Sequence, residues 1–249
     1  MIRKILFFSL FFNIFIFIEN IYSDDLKIFL NGNLSQEALF LDPKLKKIHP
    51  AIVYMHGGAV REKGNPVYKK GELFFDLEDK IRDFSSLGFV VISPLRNTPK
   101  GCCNGDEAIL EGIKLANESI NYLNSLKSVD PNKVCLIGFS EGALISLWTM
   151  TRDNDFNKAI VMSPSSQCGD KRAGSANFCG KHLIKSGKLE KISKKIILTL
   201  GDNEKSAHIK NIEGISNKLN QKINIFDGDH SSFVYPREDI NLLIKEHCK

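Results

Sequence analysis

The sequence predicts an α/β protein with a mostly parallel sheet of about eight strands and helices on both faces. Short, continuously apolar segments alternate with longer amphipathic segments along the chain. The apolar segments also lack the polar–apolar alternation of a half-exposed strand. Strands of this kind are buried on both faces, which requires helices on each side of a parallel sheet. The sequence shows no internal repeat and no linker-like stretch, so residues 24–249 are expected to form a single domain.

Before residue 127 the pattern predicts a hairpin, two buried strands and two helices. In order these are the hairpin of Lys27–Asn31 with Ala38–Leu41, the strand Ala51–Met55, the helix Glu72–Leu87, the strand Phe89–Ile92 and the helix Asp106–Leu126. Gly88 follows the first helix at a C-terminal cap position. The second helix is predicted because its apolar side chains recur at spacings of three and four residues, which places them on one face.

A turn predicted at Asp130–Asn132 opens the second half of the chain, in which buried strands again alternate with helices. The predicted elements are the strand Lys133–Phe139, a helix from Glu141 to near Arg152, the strands Ala159–Met162 and Ile196–Leu200, the helix Ala207–Leu219, the strand Ile223–Phe226 and the helix Arg237–His247. The strands again read as short apolar runs, as expected for a covered parallel sheet.

Residues 1–23 have the order of a secretory signal peptide. Arg3 and Lys4 precede an apolar run from Ile5 to Ile18, and Ser23 stands at the expected cleavage position. The run is short for a membrane span, which needs about 20 apolar residues. The sequence therefore predicts an exported protein, periplasmic or secreted. The alternative is a retained N-terminal membrane anchor.

The chain has six cysteines, and an even number in an exported protein indicates disulfides. Cys168 and Cys179 bracket a polar loop and are the predicted pair. Cys135 lies inside an apolar strand, so we expect a buried free thiol there. The pattern assigns no partner to the remaining three, which are Cys102, Cys103 and Cys248. A zinc site made of Cys168, Cys179 and His182 is not expected, because the ligand spacing is wrong.

The net charge of +5 is small for 249 residues and is scattered along the chain. The densest basic run, residues 188–195, contains no aromatic residue and is typical of a solvated helix face. A nucleic-acid partner is therefore not expected.

Ser140 stands in the pattern G-x-S-x-G, between a buried strand and an apolar helix. A strand that turns abruptly into a helix projects the intervening side chain beyond the carboxyl end of the sheet, where ligands of parallel α/β proteins bind. Only glycine is expected to fit at positions 138 and 142, because a side chain at either position would collide with the adjoining strand or helix. The alternative is a serine that only caps the helix.

A serine hydroxyl needs a base to become a good nucleophile, and the base needs a carboxylate to orient it. His230 follows the last predicted strand and is therefore expected at the same sheet edge as Ser140. The preceding strand ends at Gly201-Asp202-Asn203-Glu204, so its loop offers two carboxylates. We predict Glu204 as the acid, with Asp202 in reserve.

These segments resemble those of α/β-hydrolases, and the chain is most similar to the dienelactone-hydrolase-like and prolyl-oligopeptidase-like branches. The resemblance covers nearly all of residues 24–249. It rests on YMHGG at Tyr54–Gly58, VDPNKVCLIGFSEGA at Val129–Ala143, LGDNE at Leu200–Glu204 and GDHSSF at Gly228–Phe233.

The resemblance implies Ser140 as nucleophile and His230 as base. It also implies an oxyanion hole formed by the backbone N–H groups of Glu141 and Ala59, and neither a metal nor an organic cofactor. The chain departs from the family in two respects. True dienelactone hydrolases carry a cysteine nucleophile, and the family acid at the position of Glu204 is usually an aspartate.

The expected function is that of an exported serine hydrolase that cleaves carboxylic esters through an acyl-enzyme, with amides or short peptides as alternative substrates. The expected partner is a small-molecule ester or a short peptide. Two further alternatives are an acyltransferase with the same triad and a non-catalytic binding protein with the same fold. A membrane is an expected partner only if the N-terminal segment is retained.

Overall fold

One sheet organises the computed structural model, which describes residues 28–29, 37–43, 47–63, 77–96, 105–166 and 177–249. Within these residues, eight strands pair in the order β1-β2-β4-β3-β5-β6-β7-β8. Their bounds are β1 Ile28–Phe29, β2 Glu37–Leu41, β3 His49–Met55, β4 Val90–Pro94, β5 Val129–Phe139, β6 Lys158–Met162, β7 Ile196–Gly201 and β8 Ile223–Phe226. The β1–β2 and β2–β4 pairs are antiparallel, and all other pairs are parallel. The predicted fold class is confirmed.

Helices cover both faces of this sheet. The described α-helices are α1 Gly58–Lys63, α2 Leu77–Ser86, α3 Gly105–Ser125, α4 Glu141–Met150, α5 Gly180–Lys185, α6 Ser206–Leu219 and α7 Glu238–Cys248, and 3₁₀ helices occupy Leu189–Lys195 and His230–Phe233. Alternate residues of β3 enter opposite cores. Val53 packs in the core that contains apolar residues of α3, α4 and α6, whereas Ile52 packs in the core that contains those of α2 and α7. Burial on both sides explains the continuous apolar runs of the central strands, whereas β8 at the sheet edge is partly exposed.

Gly88 ends α2 as expected. Its φ is +90°, a conformation that L side chains rarely adopt, and its N–H donates to the carbonyl of Ser85. The predicted start of this helix, residues 72–76, lies outside the described residues.

The turn predicted at Asp130–Asn132 is wrong, because β5 already begins at Val129 and runs through these residues. Its pairing with β3 is irregular here: His49 pairs with Val129, but Ala51 pairs with Val134. Pro131 has no N–H to donate to a neighbouring strand, and the Asn132 N–H donates to Asp130 Oδ1 at 3.0 Å. The segment Asp130–Asn132 therefore forms an irregularity within β5 and not a turn that precedes the strand.

The expectation of a free thiol at Cys135 is also wrong. Cys135 in β5 forms a disulfide with Cys248 at the end of α7, with a Cα–Cα distance of 5.5 Å. Both residues are buried, and the bond holds the C-terminal helix against the sheet. The apolar run predicted burial correctly, but it carried no information about a cysteine 113 residues further along the chain.

Cys179 is disulfide-bonded. Cys168, Cys102 and Cys103 lie outside the described residues, so the Cys168–Cys179 pair stays a prediction. Residues 1–23 also lie outside them, and the signal peptide likewise stays a prediction. Among the described helices, none combines the length and the apolar character that crossing a membrane requires.

Candidate active site

Ser140 occupies a strained turn between β5 and α4. Its φ of 54° and ψ of −115° place a non-glycine residue in a sparsely populated region of backbone space. The turn is held from both sides, since the Ser140 N–H donates to Met162 of β6 and its carbonyl accepts from the Ser165 N–H. Its side chain makes no capping hydrogen bond to α4. The hydroxyl is thus directed away from the helix, and the capping alternative does not describe it.

The two flanking glycines are required by close backbone approach. A Cβ atom on Gly142 would collide with the carbonyl oxygens of Met55 and His56, and one on Gly138 would collide with the carbonyl oxygen of Gly142. These contacts press the start of α4 against the end of β3. The loop after β3 therefore lies beside the turn that carries Ser140.

Ser140, His230 and Glu204 form one continuous hydrogen-bonded chain. The Ser140 Oγ lies 2.9 Å from His230 Nε2, and His230 Nδ1 lies 2.8 Å from Glu204 Oε1. The three side chains come from the ends of β5, β8 and β7, which all lie at the same edge of the parallel sheet. The structure therefore brings together the three residues that the sequence predicted as nucleophile, base and acid.

The loops after β7 and β8 are also fastened to each other. The N–H groups of Asp202 and Asn203 donate to the carbonyls of Phe226 and Gly228, at 2.9 and 3.0 Å. The Asp202 carboxylate accepts from the Gly228 N–H at 2.9 Å and is exposed. Asp202 thus braces the histidine loop, whereas Glu204 contacts the imidazole.

The Glu204 side chain is fully buried. Burial by itself raises the pKa of this carboxyl, but hydrogen bonds from His208 and His230 outweigh it and hold the pKa well below its usual range. The group is therefore a carboxylate at neutral pH. It can orient an imidazole N–H and stabilise an imidazolium.

A second histidine at this carboxylate was missed by the sequence analysis. His208 Nδ1 lies 3.0 Å from Glu204 Oε2 and 3.1 Å from His230 Nδ1. The spacing of four residues between Glu204 and His208, at the start of a predicted helix, was the available signal. Glu204 lies in the loop just before α6, and His208 lies in the first turn of that helix, so the two side chains meet at its start. Glu204 is thus shared between two imidazoles.

The Glu141 side chain, which follows the serine, is buried in an ion-pair cluster. Arg61 donates to both of its oxygens at 2.7 and 2.9 Å, and Arg96 donates to Oε1 at 2.5 Å. Arg96 also donates to the carbonyl of His56. The cluster ties α1 and the end of β4 to the turn at Ser140. No sequence motif indicated it.

His56 serves this packing. Its Nε2 accepts from the Arg96 N–H at 3.2 Å and its Nδ1 lies 2.9 Å from the Gly57 carbonyl. Burial and the neighbouring Arg96 charge lower the pKa of His56 to about 3, so the ring is neutral. His56 therefore packs the loop after β3.

The predicted oxyanion donors lie at the starts of two helices. Glu141 is the first residue of α4, and Ala59 is in the first turn of α1. Amides at such positions point out of the helix and favour negative charge. Gly57 packs beside the serine: a Cβ atom on Gly57 would lie 3.5 Å from that of Ser140.

By sequence, the chain matches no protein-family model and no curated protein. By structure, it is similar to acetyl xylan esterase 1 from a Thermoanaerobacterium species, with 15% identity, a TM-score of 0.55, and coverage of 85% of this chain and 78% of that one. It is also similar to a Pyrobaculum calidifontis esterase, with 15% identity, a TM-score of 0.56, and coverage of 84% and 80%. An acylaminoacyl peptidase from Pyrococcus horikoshii gives 14% identity, a TM-score of 0.55, and coverage of 86% of this chain but 40% of the peptidase.

These similarities establish the fold. The chain has the α/β-hydrolase fold, as its sequence motifs led us to expect.

Proposed function

We propose that this protein is an exported serine hydrolase that cleaves carboxylic esters through an acyl-enzyme. The observation that carries the proposal is the hydrogen-bonded chain from Ser140 through His230 to Glu204. A nucleophile at a strained turn, a base within reach of its proton and a buried carboxylate behind the base are the parts that acyl transfer requires.

In the proposed reaction, Ser140 Oγ attacks the ester carbonyl while His230 Nε2 takes its proton. Glu204 holds the other ring nitrogen protonated and stabilises the imidazolium that forms. The backbone N–H groups of Glu141 and Ala59 stabilise the oxyanion of the tetrahedral intermediate. His230 then protonates the leaving alcohol, and water activated by the same imidazole releases the acid from Ser140.

Esters are proposed rather than amides or peptides because an ester releases an alcohol, which is a better leaving group than the amine that an amide releases. Attack by the activated serine is therefore enough to cleave an ester. Of the three structural neighbours described above, two are named esterases and one is named an acylaminoacyl peptidase. Both substrate types therefore belong in the first screen, with short-chain aryl esters, thioesters and aminoacyl amides tested on the same preparation.

Labelling with a fluorophosphonate probe tests the mechanism directly. Ser140→Ala should abolish labelling and lower kcat by a factor on the order of 10⁶, and Glu204→Ala by about 10⁴, as in other triad enzymes. Asp202→Ala should have a much smaller effect, because Asp202 contacts the loop backbone and not the ring. Ser125→Ala, an exposed serine at the end of α3, is the matched control.

Other outcomes would favour the alternative functions. A folded wild-type protein that is neither labelled nor active on any substrate would support a non-catalytic binding protein. If an added alcohol acceptor is converted to a new ester in preference to hydrolysis, the protein is an acyltransferase. Export is tested separately by intact mass: the exported chain should begin at or near Asp24, whereas full-length chain in the membrane fraction would indicate an anchor.

A further inference from the structure

His208 has no place in the proposed hydrolysis, yet it completes a cluster of three potential metal ligands. Glu204, His208 and His230 each offer one ligand atom, and these atoms lie within 4.8 Å of one another. A triad needs only one imidazole at its carboxylate. The second imidazole therefore calls for a separate explanation.

We propose that Glu204, His208 and His230 bind a divalent transition-metal ion of the zinc type, and that the bound ion switches the triad off. The ion is an inhibitor in this proposal and takes no part in hydrolysis. Binding does not depend on the proposed function, whereas inhibition does.

The ligand set suits zinc. Two imidazoles and one carboxylate are among the ligand sets that zinc sites use, and they leave a fourth position for water. Both rings turn Nδ1 toward the same buried carboxylate, at 2.8 and 3.0 Å, and toward each other at 3.1 Å. Ligands about 2.0–2.2 Å from a tetrahedral ion lie roughly 3.4 Å apart. The two Nδ1 atoms therefore need to separate by only a few tenths of an ångström, and Glu204, whose Oε1 faces His230 and whose Oε2 faces His208, offers an oxygen on the side of either ring.

The electrostatics also favour a cation. The buried Glu204 carboxylate lies between the two rings, with one oxygen facing each Nδ1. The two imidazoles are 18% and 27% exposed, which leaves a path for an ion from solvent.

Inhibition follows from the chemistry of the imidazole. In the active state, Nδ1 of His230 carries the proton and its Nε2 lone pair faces Ser140. A metal can bind Nδ1 only after that nitrogen has lost its proton, so the ring proton moves to Nε2. His230 then donates toward Ser140 and can no longer accept the serine proton. At each of the two histidines the bond to the metal forms, the Nδ1–H bond breaks and the proton passes through solvent to Nε2 of the same ring, so no redox change is involved.

Calorimetric titration of the purified full chain with Zn²⁺ tests the site without reference to activity. The key variant is His208→Gln, because its amide N–H can still donate to Glu204 whereas its neutral amide is a poor zinc ligand. We expect one ion per wild-type chain and binding weaker by more than about 100-fold in His208→Gln, since loss of a mere hydrogen-bond partner of a ligand already costs about 10–100-fold. His182→Phe, an exposed histidine on α5, should bind as the wild type does.

Absence of zinc binding by the wild type, or equal binding by folded His208→Gln, would overturn the proposal and leave His208 as a hydrogen-bond partner of the acid. Circular dichroism establishes that the variant is folded, and His208→Asn replaces it if it is not. In the activity arm, Zn²⁺ should inhibit ester hydrolysis, a chelator should restore it, and Mg²⁺, which prefers oxygen ligands, should not inhibit. If the wild type binds zinc but hydrolyses nothing, the site stands and only the proposed function fails.

Discussion

Replacement of Glu141 by glutamine should destabilise the protein severely. The change is nearly isosteric, so it removes a negative charge with little change in volume. In the wild type this carboxylate accepts three hydrogen bonds, from Arg61 at 2.7 and 2.9 Å and from Arg96 at 2.5 Å. The Arg96 side chain is 0% exposed, that of Arg61 is 7% exposed, and that of Glu141 is 2% exposed. The variant would leave two guanidinium groups buried without this carboxylate.

The size of the effect follows from that burial. Removal of one partner of a buried ion pair costs about 3–5 kcal/mol, because the remaining charge cannot be solvated. Burial already lowers the pKa of Arg96, and the charge of Glu141 opposes that shift. For a domain of this size, such a loss corresponds to a decrease in Tm of roughly 6–20 °C.

Urea unfolding followed by circular dichroism measures the loss, and a surface pair provides the control. Glu78 and Arg82 are joined at 2.8 Å, but their side chains are 34–35% exposed. Glu78→Gln should therefore cost only about 0.3–0.5 kcal/mol, as exposed i,i+4 pairs do. A loss below about 1 kcal/mol in Glu141→Gln, or equal losses in both variants, would refute the argument that burial decides the cost.

Two further predictions concern the other buried elements. The double variant Cys135→Ala/Cys248→Ala should lose up to about 5 kcal/mol of unfolding free energy, because the wild-type disulfide closes a loop with a sequence separation of 113 residues. An unchanged denaturation midpoint would contradict this. The pKa of Glu204 is lower in the folded state than in the unfolded state. The ionised carboxylate therefore stabilises the fold at pH values above the ordinary carboxyl pKa of about 4, and this stabilisation is lost as the pH falls. The difference in unfolding free energy between wild type and Glu204→Gln should accordingly shrink as the pH falls below about 4, and a difference independent of pH would argue against it.

Much of this protein was predictable from its sequence because the signals are local. Continuous apolar runs predicted β3 through β8, and apolar spacings of three and four residues predicted α3. Buried strands and amphipathic helices are encoded by neighbouring residues. The placement of Ser140 and His230 at one edge of the sheet was predictable for a related reason: each follows a predicted strand, and the carboxyl ends of parallel strands share one edge of the sheet.

Which of the two carboxylates, Glu204 or Asp202, contacts His230 was decided only by the tertiary structure. Both carboxylates lie in one short loop, and only the packing of that loop against Gly228 decides which of them reaches the ring. A difference of two residues in a loop cannot be translated into a distance from sequence alone.

Long-range pairings were likewise decided only by the tertiary structure. Cys135 meets Cys248, Glu141 meets Arg61 and Arg96, and His208 meets His230 across 22 to 113 residues of chain. Each of these residues has an ordinary local pattern: an apolar strand, the start of a helix, or a polar helix face. A buried charge must find a complement in space, and a disulfide forms only where two cysteines meet; both conditions depend on the assembled sheet and not on any one segment.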